Sequence, residues 1–367
     1  MGEKSKALAD SFKETCRTSL AFENNHTPWQ RGLNLLYGLG TTFVIGLSAF
    51  LYFKGMLDVT YLVGIMLFVF DLFGPLKALY GQSARLTVMN SCMDRIEEVF
   101  AEQELPDTGT NHIPAHSGAP EVRFENVSFA YGEQDVLKNV SFELPKNRML
   151  ALVGPSGGGK STIASLLARF WDVKSGKILV RGQDIRTVPL SELMNNISMV
   201  FQRVYLFQDT IYNNIIMGRP DAGREEVLEA AKKARCYDFI MALPEGFDTV
   251  VGEGGASLSG GEQQRVSIAR CILKDAPIVI LDEATASVDA DNESYIQEAI
   301  SALCKGKTLL VIAHRLNTIR YADQILVIAN GGIAQQGTHD QLMQKGGIYK
   351  QFVTARESSR GWSRKGV

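Results

Sequence analysis

The chain has 367 residues, 45% of them hydrophobic, and its 38 basic side chains nearly offset 40 acidic ones for a net charge of −2. That length exceeds one ordinary domain, and the balanced charge, with no basic stripe, argues against nucleic-acid binding as the main role. The five cysteines, Cys16, Cys92, Cys236, Cys271 and Cys304, are scattered without a CxxC pair, which points to reduced cytosolic thiols and away from a cysteine metal site.

The amino terminus is polar and charged, with no cleavable signal pattern. Between Gly32 and Phe53 there is no charged residue over 22 positions, enough helix to cross a bilayer core. Val59 to Leu76 forms a second apolar stretch of 18, broken only by Asp71. A buried globular helix is the alternative; the reading adopted is a membrane hairpin, with spans at about 32–53 and 59–76 and a turn at Lys54 to Asp58. Lys4, Lys6, Lys13, Arg17 and Arg31 precede the hairpin and Lys77, Arg85 and Arg95 follow it, so both flanks are expected to be cytoplasmic. Asp71 lines a pathway, packs against protein, or sits at the interface. The helical pattern continues through Leu86, Val88, Met93, Ile96 and Phe100 to about Glu104. Residues 1–104 are thus expected to form a partial transmembrane domain ending in a cytosolic stalk, and the Gly/Pro-rich residues 105–120 a linker.

Strands are expected at Val122 to Phe129, Ser141 to Leu144, Met149 to Val153 and Lys177 to Val180. The third runs into Gly154-Pro155-Ser156-Gly157-Gly158-Gly159-Lys160-Ser161-Thr162, a phosphate-loop pattern followed by a helix over Thr162 to Phe170. Glycines let amides curl around phosphate oxygens, Lys160 places a cation on the terminal phosphates, and Ser161 offers a hydroxyl to Mg²⁺. Ser191 to Asn195 and Arg224 to Ala234 read as helical. Leu258 to Arg265, LSGGEQQR, is a helix start: Ser259 can cap it, and Gly260 and Gly261 allow an anion close to its amides. The same residues are also an ordinary Ser-x-x-Glu capping box. Ile278 to Leu281 delivers Asp282 and Glu283, either a metal-holding and a water-polarising carboxylate or two solvated acids. Thr308 to Ala313 delivers His314 in the same manner. The Met149, Ile278 and Leu309 strands belong in a mostly parallel sheet with helices on both faces, and the basic end, 355–367, is a frayed tail.

From Glu121 to about Thr354 these motifs resemble the ATP-binding cassette (ABC) family of transport ATPases and occur in the family's order. The resemblance implies an α/β P-loop NTPase with a helical subdomain between Gln202 and the LSGGEQQR segment, preceded here by an all-α transmembrane hairpin. It implies ATP and Mg²⁺ as ligands, with Tyr131 stacking on adenine (strand core being the other reading of Phe129 and Tyr131). Gln202 would sense Mg²⁺ and the attacking water. Ser161 and Asp282 would set the metal, Glu283 would act on water, and His314 would hold the γ-phosphate. Asp289 matches a loop communicating across a dimer, although Ala286-Ser-Val-Asp289 departs from the commoner Ser-Ala-Leu-Asp. Glu253 resembles an acidic position that contacts the membrane helices. Ser259, Gly260 and Gly261 would close over ATP held by a second cassette, either a copy of this chain or a related half-transporter. The exporter-type architecture has six membrane helices per half, and this chain shows two, resembling the last two. The chain is therefore expected to be a fragment, a truncated gene product, or a subunit completed by another polypeptide. The implied function is ATP hydrolysis coupled to solute movement in the plasma membrane, in contact with lipid, with cassette and both termini cytoplasmic and no nucleic-acid partner. Alternatives are a siderophore-uptake member, on the wording VYLFQDTIYNNI and GEGGASLSGGE, or a soluble non-transport cassette ATPase.

Overall fold

The computed structural model describes residues 2–363 other than 103, 116, 256, 283–289 and 314–318. It divides into two compact units, Met1–Glu104 and Leu105–Val367.

The first unit consists of α1 (Gly2–Phe53) and α2 (Val59–Ala101), which pack together. Gly55, at φ +73°, makes the tight turn between them. Asp58 starts α2 from an extended conformation, its carboxylate accepting the Val59 amide at 2.7 Å. Ser48 and Val69 are buried, whereas Leu35, Leu39, Phe43, Phe50, Leu67 and Phe68 are exposed. Such a surface is unfavourable in water and compatible with hydrocarbon. The hydroxyls of Thr41 and Thr42 donate to the carbonyls of Tyr37 and Gly38 one turn back, so they present no unpaired donor. Thr27–Phe53 is long and apolar enough to cross a membrane, and contains the expected first span. Within the described residues, Val59–Asp71 is the second apolar helical segment, and it lies inside the expected 59–76. α2 closes at Ala101, short of the expected 104, where Glu102 leaves helical geometry.

The second unit is built on two sheets. β1 (Val122–Tyr131), β2 (Gln134–Leu144), β4 (Ser175–Val180) and β5 (Gln183–Asp184) form an antiparallel sheet in the order β2-β1-β4-β5. The larger sheet contains β3 (Met149–Val153), β6 (Ile197–Val200), β7 (Ile278–Asp282), β8 (Thr308–Ile312), β9 (Gln324–Ala329) and β10 (Gly332–Gly337), ordered β10-β9-β3-β8-β7-β6. Five of these strands run parallel and β10 pairs antiparallel with β9. β9 and β10 were not expected from sequence. Their hairpin turns on Asn330 and Gly331, both at positive φ, the Asn-Gly signal of a tight turn between two strands.

Strand periodicity divides the interior in two. Leu150, Leu152, Ile278, Ile280, Leu310, Ile312, Leu326 and Ile328 point into one core, shared with the antiparallel sheet and α3 (Lys160–Leu167). Ala151, Val153, Val279, Leu281, Val311, Ile325 and Val327 point into the other, shared with α5 (Ile211–Ile216), α6 (Arg224–Lys233), α7 (Tyr237–Met241), α8 (Gly260–Lys274) and α9 (Ala290–Cys304). Burial on both faces explains why these strands read as continuous apolar runs and not as alternating ones. The expected helices at 191–195 and 224–234 are observed as α4 (Leu190–Asn195) and α6. Two C-terminal helices, His339–Lys345 and Ile348–Ser363, close the unit; the second reaches into residues read as a frayed tail.

Candidate nucleotide site

β3 ends at Val153, and the chain turns sharply at Gly154 with φ +145°. A Cβ at Gly154 would lie 2.1 Å from the Ile328 carbonyl oxygen of β9. At Gly159, φ +101°, it would lie 2.5 Å from Leu137 Cδ2 of β2. The loop is therefore pressed between a strand of each sheet, and at both places only glycine fits without rearrangement. Gly157, at φ +75°, faces open space, and Pro155, Ser156 and Gly157 are exposed. The Gly158 amide closes the turn onto the Pro155 carbonyl at 3.2 Å.

α3 begins at Lys160 with Gly159 as its N-cap, so no side chain at that position occupies the first amides. An uncapped helix start beneath a glycine loop is a phosphate-binding arrangement, because the free N–H groups and the positive dipole end face the same space. Lys160 is 7% exposed, and its ammonium donates to the Gly154 and Pro155 carbonyls at 3.0 and 2.7 Å. The cation is thus held over the loop by the loop's own backbone. Ser161 is exposed and Thr162 is buried.

The parallel sheet sets the remaining positions. Asp282, half-buried, is the last residue of β7 and aligns with Ile312 of β8, the strand that pairs with β3. Gln202 follows β6, the neighbour of β7, and is exposed. Lys160, Asp282 and Gln202 therefore all lie at or beyond the carboxyl ends of strands in one parallel sheet, the edge where such sheets bind ligands. Glu283, Asp289 and His314 lie outside the described residues. Among the described residues no three His, Cys, Asp or Glu gather to hold a metal. A Mg²⁺ ion here would draw on Ser161, Asp282 and Gln202 and complete its shell from phosphate and water, as this ion commonly does.

Tyr131 ends β1 and is 42% exposed, whereas Phe129 is 4% exposed. The core reading belongs to Phe129. The Tyr131 ring makes T-shaped contacts with Phe129 at 4.8 Å and with Trp171 at 5.4 Å while staying part-exposed. Trp171 was missed in the sequence, although an aromatic pair, Phe170 and Trp171, just after the phosphate-loop helix was a visible signal.

In the LSGGEQQR segment the capping-box reading is the one observed, and Gly261 is buried. Ser259 caps α8: its hydroxyl accepts the Glu262 amide at 3.4 Å, and the Glu262 carboxylate accepts the Ser259 amide at 2.8 Å. Ser259 and Gly260 are nevertheless exposed, and a Cβ at Gly260 would meet nothing within 4 Å. Arg265, almost fully buried, lies between the rings of Phe239 at 5.0 Å and Tyr295 at 5.4 Å, a cation–π contact on both sides that joins α8 to α7 and α9. Glu253 is exposed in a short 3₁₀ turn just before this segment.

This geometry has counterparts in known proteins. The sequence profile of the ABC transporter family matches residues 137–286. A Bacillus subtilis (strain 168) protein named as multidrug export ATP-binding/permease protein YgaD is 44% identical over 335 residues, covering 90% of this chain and 58% of its own length. A Staphylococcus aureus (strain NCTC 8325 / PS 47) protein with the same description is 43% identical over 352 residues, covering 94% of this chain and 61% of its own. Among solved structures, a bacterial Atm1-family ABC exporter with ATP bound matches with a TM-score of 0.68 at 36% identity, covering 100% of this chain and 63% of that one. The chain spans less than two thirds of the length of each of these proteins. With the phosphate loop, the parallel sheet and the capped glycine pair all in the family's order, residues 137–286 form an ABC transporter domain.

Proposed function

We propose that this chain is the ATP-hydrolysing part of an exporter-type transporter and that it couples ATP binding and hydrolysis to solute movement across a membrane. The observation that carries the reading is the buried Lys160 held in a glycine cradle at the edge of a parallel sheet that also delivers Asp282. The relatives' names speak of export, which supports extrusion; the siderophore-uptake and soluble alternatives draw no support from them. Thr27–Phe53 further favours a membrane-bound chain, with cassette and termini on the cytoplasmic side and lipid around α1.

In this reading the loop amides and Lys160 neutralise the β and γ phosphates, and Tyr131 supports the adenine ring. Mg²⁺, held by Ser161 and Asp282 and sensed by Gln202, supplies charge neutralisation between the phosphates when bound. Glu283 polarises the attacking water and His314 contacts the γ-phosphate. Ser259, Gly260 and Gly261 complete the site of a second cassette, a copy of this chain or a related half-transporter, with Asp289 at the contact between the two. Glu283→Gln keeps ATP binding and loses turnover by about 10²-fold or more, the usual contribution of a positioned base; phosphate release at the unsubstituted rate overturns the assignment. Lys160→Ala weakens ATP binding itself, and unchanged affinity in a direct titration counts against the loop reading.

A further inference from the structure

The Gly/Pro-rich residues after the stalk have the composition of a free linker, yet they are fastened along their length to the second unit. The Asp107 carboxylate accepts the first amide of α4, Leu190 N–H, at 2.8 Å. The Asn111 amide donates to the Thr187 carbonyl at 2.9 Å, and the Ile113 amide to the Glu192 carboxylate at 2.7 Å. Ile113 is 9% exposed and joins the core shared with the antiparallel sheet. At Gly109 a Cβ would lie 2.4 Å from the Val188 carbonyl carbon, so the two backbones touch.

The tightest fastening is a buried cation. Arg169 is 2% exposed, at φ +51° just past the end of α3. Its guanidinium donates to the Pro106 carbonyl at 2.7 Å, to the Ile185 and Val188 carbonyls at 3.3 and 3.5 Å, and to the Asp172 carboxylate at 3.1 Å. Burying a guanidinium is costly even when it is paired, and an apolar side chain fills such a space at least as well. What the fork adds is geometry: planar donors in fixed directions hold three stretches of backbone in one register. Two of those stretches lead to the nucleotide site. α3 starts with Lys160 and Ser161, and α4 passes through β6 to Gln202.

We propose that residues 105–114 are a joint, clasped by Arg169, through which the chain leaving the stalk is tied to the phosphate-loop helix and to Gln202. Arg169 is a positioning residue: it acts through α3 and α4 and touches no substrate. The proposal rests on the nucleotide reading above. Nucleotide bound at the loop therefore tightens the joint, and the joint's state is felt at the loop.

Amide hydrogen exchange on the full chain, with and without Mg²⁺ and a non-hydrolysable ATP analogue, tests this. In the unsubstituted chain the nucleotide slows exchange both in the 154–162 loop and in the 105–114 joint, each by about fivefold or more. In Arg169→Lys, which keeps the charge and loses the fork, the loop still responds and the joint does not. A joint that exchanges at the same rate with and without nucleotide while the loop responds, or an unchanged joint response in Arg169→Lys, overturns the proposal. Asp107→Ala, at an exposed position, covers the case in which the arginine variant fails to fold; its joint response falls to half or less, and a full response counts against the proposal. A silent loop in the unsubstituted chain overturns the nucleotide reading itself.

Discussion

Gly154 and Gly157 differ in what surrounds them, and that difference is measurable. Both have positive φ, but only Gly154 has a carbonyl oxygen, that of Ile328, where a Cβ would go. Gly157→Ala meets only the backbone preference, roughly 1–2 kcal/mol. Gly154→Ala must also displace β9 or the loop, and falls in the larger class of strained-backbone losses, about 3 kcal/mol or more. Thermal unfolding of the two variants is expected to rank them in that order, with ATP affinity following; equal losses argue against a loop pressed on β9. At this scale the phosphate loop was legible in the sequence because its determinants are local, two glycines, a lysine and a serine at fixed spacing. Arg169 was not legible. Its partner Pro106 lies 63 positions away, and an arginine after a helix has the same appearance in sequence whether it is solvated or a clasp.

Among elements, the strand from Met149 to Val153 was read to the residue, and those ending in Asp282 and Ile312 to within one. Their apolar runs are bounded by polar or glycine residues that mark the ends. The 105–120 stretch was read by composition, which reports loop character but not where backbone groups find partners. Its docking has an acid-sensitive fastening. The Ile113 amide, and after it the His112 ring at 2.7 Å, hold the Glu192 carboxyl below its ordinary value. A depressed carboxyl contributes its stabilisation in full above the unfolded pKa, about 4.3 for glutamate, and loses it as the pH falls through the lowered value. Exchange of the Asn111 and Ile113 amides is therefore expected to accelerate below about pH 4 beyond the rest of the unit, and Glu192→Ala to show the faster rate already at pH 7. An exchange rate in Glu192→Ala that matches the unsubstituted chain at pH 7 removes the carboxylate from this account.

For the molecule as a whole, the two units differ in what they expose. Cys16 and Cys92 are exposed in the first, whereas Cys236 and Cys271 are buried in the second. Burial pushes the Cys236 and Cys304 thiols up to about 12 and that of Cys271 to about 11, so almost no thiolate is present there at neutral pH. A disulfide reagent at pH 8 is expected to consume Cys16 and Cys92 quickly and the other three only after denaturation; rapid reaction at Cys271 contradicts the packing of α8 on β6. The division into a helical hairpin and an α/β unit was legible at this scale, since charge-free length and motif order both survive in a linear reading.

The carbonyl that presses on Gly154 belongs to β9, one of the last strands to be made. A ribosome releases the chain from its amino end, so the helical hairpin and the GPSGGGKS stretch emerge long before Ile328 does. Until that strand inserts beside β3, the loop has no wall on one side and nothing to hold Gly154 in its extreme conformation. The order of synthesis thus delays the capacity to grip a nucleotide until the sheet is nearly complete. A chain that stops short of residue 328 still lacks the carbonyl that walls Gly154.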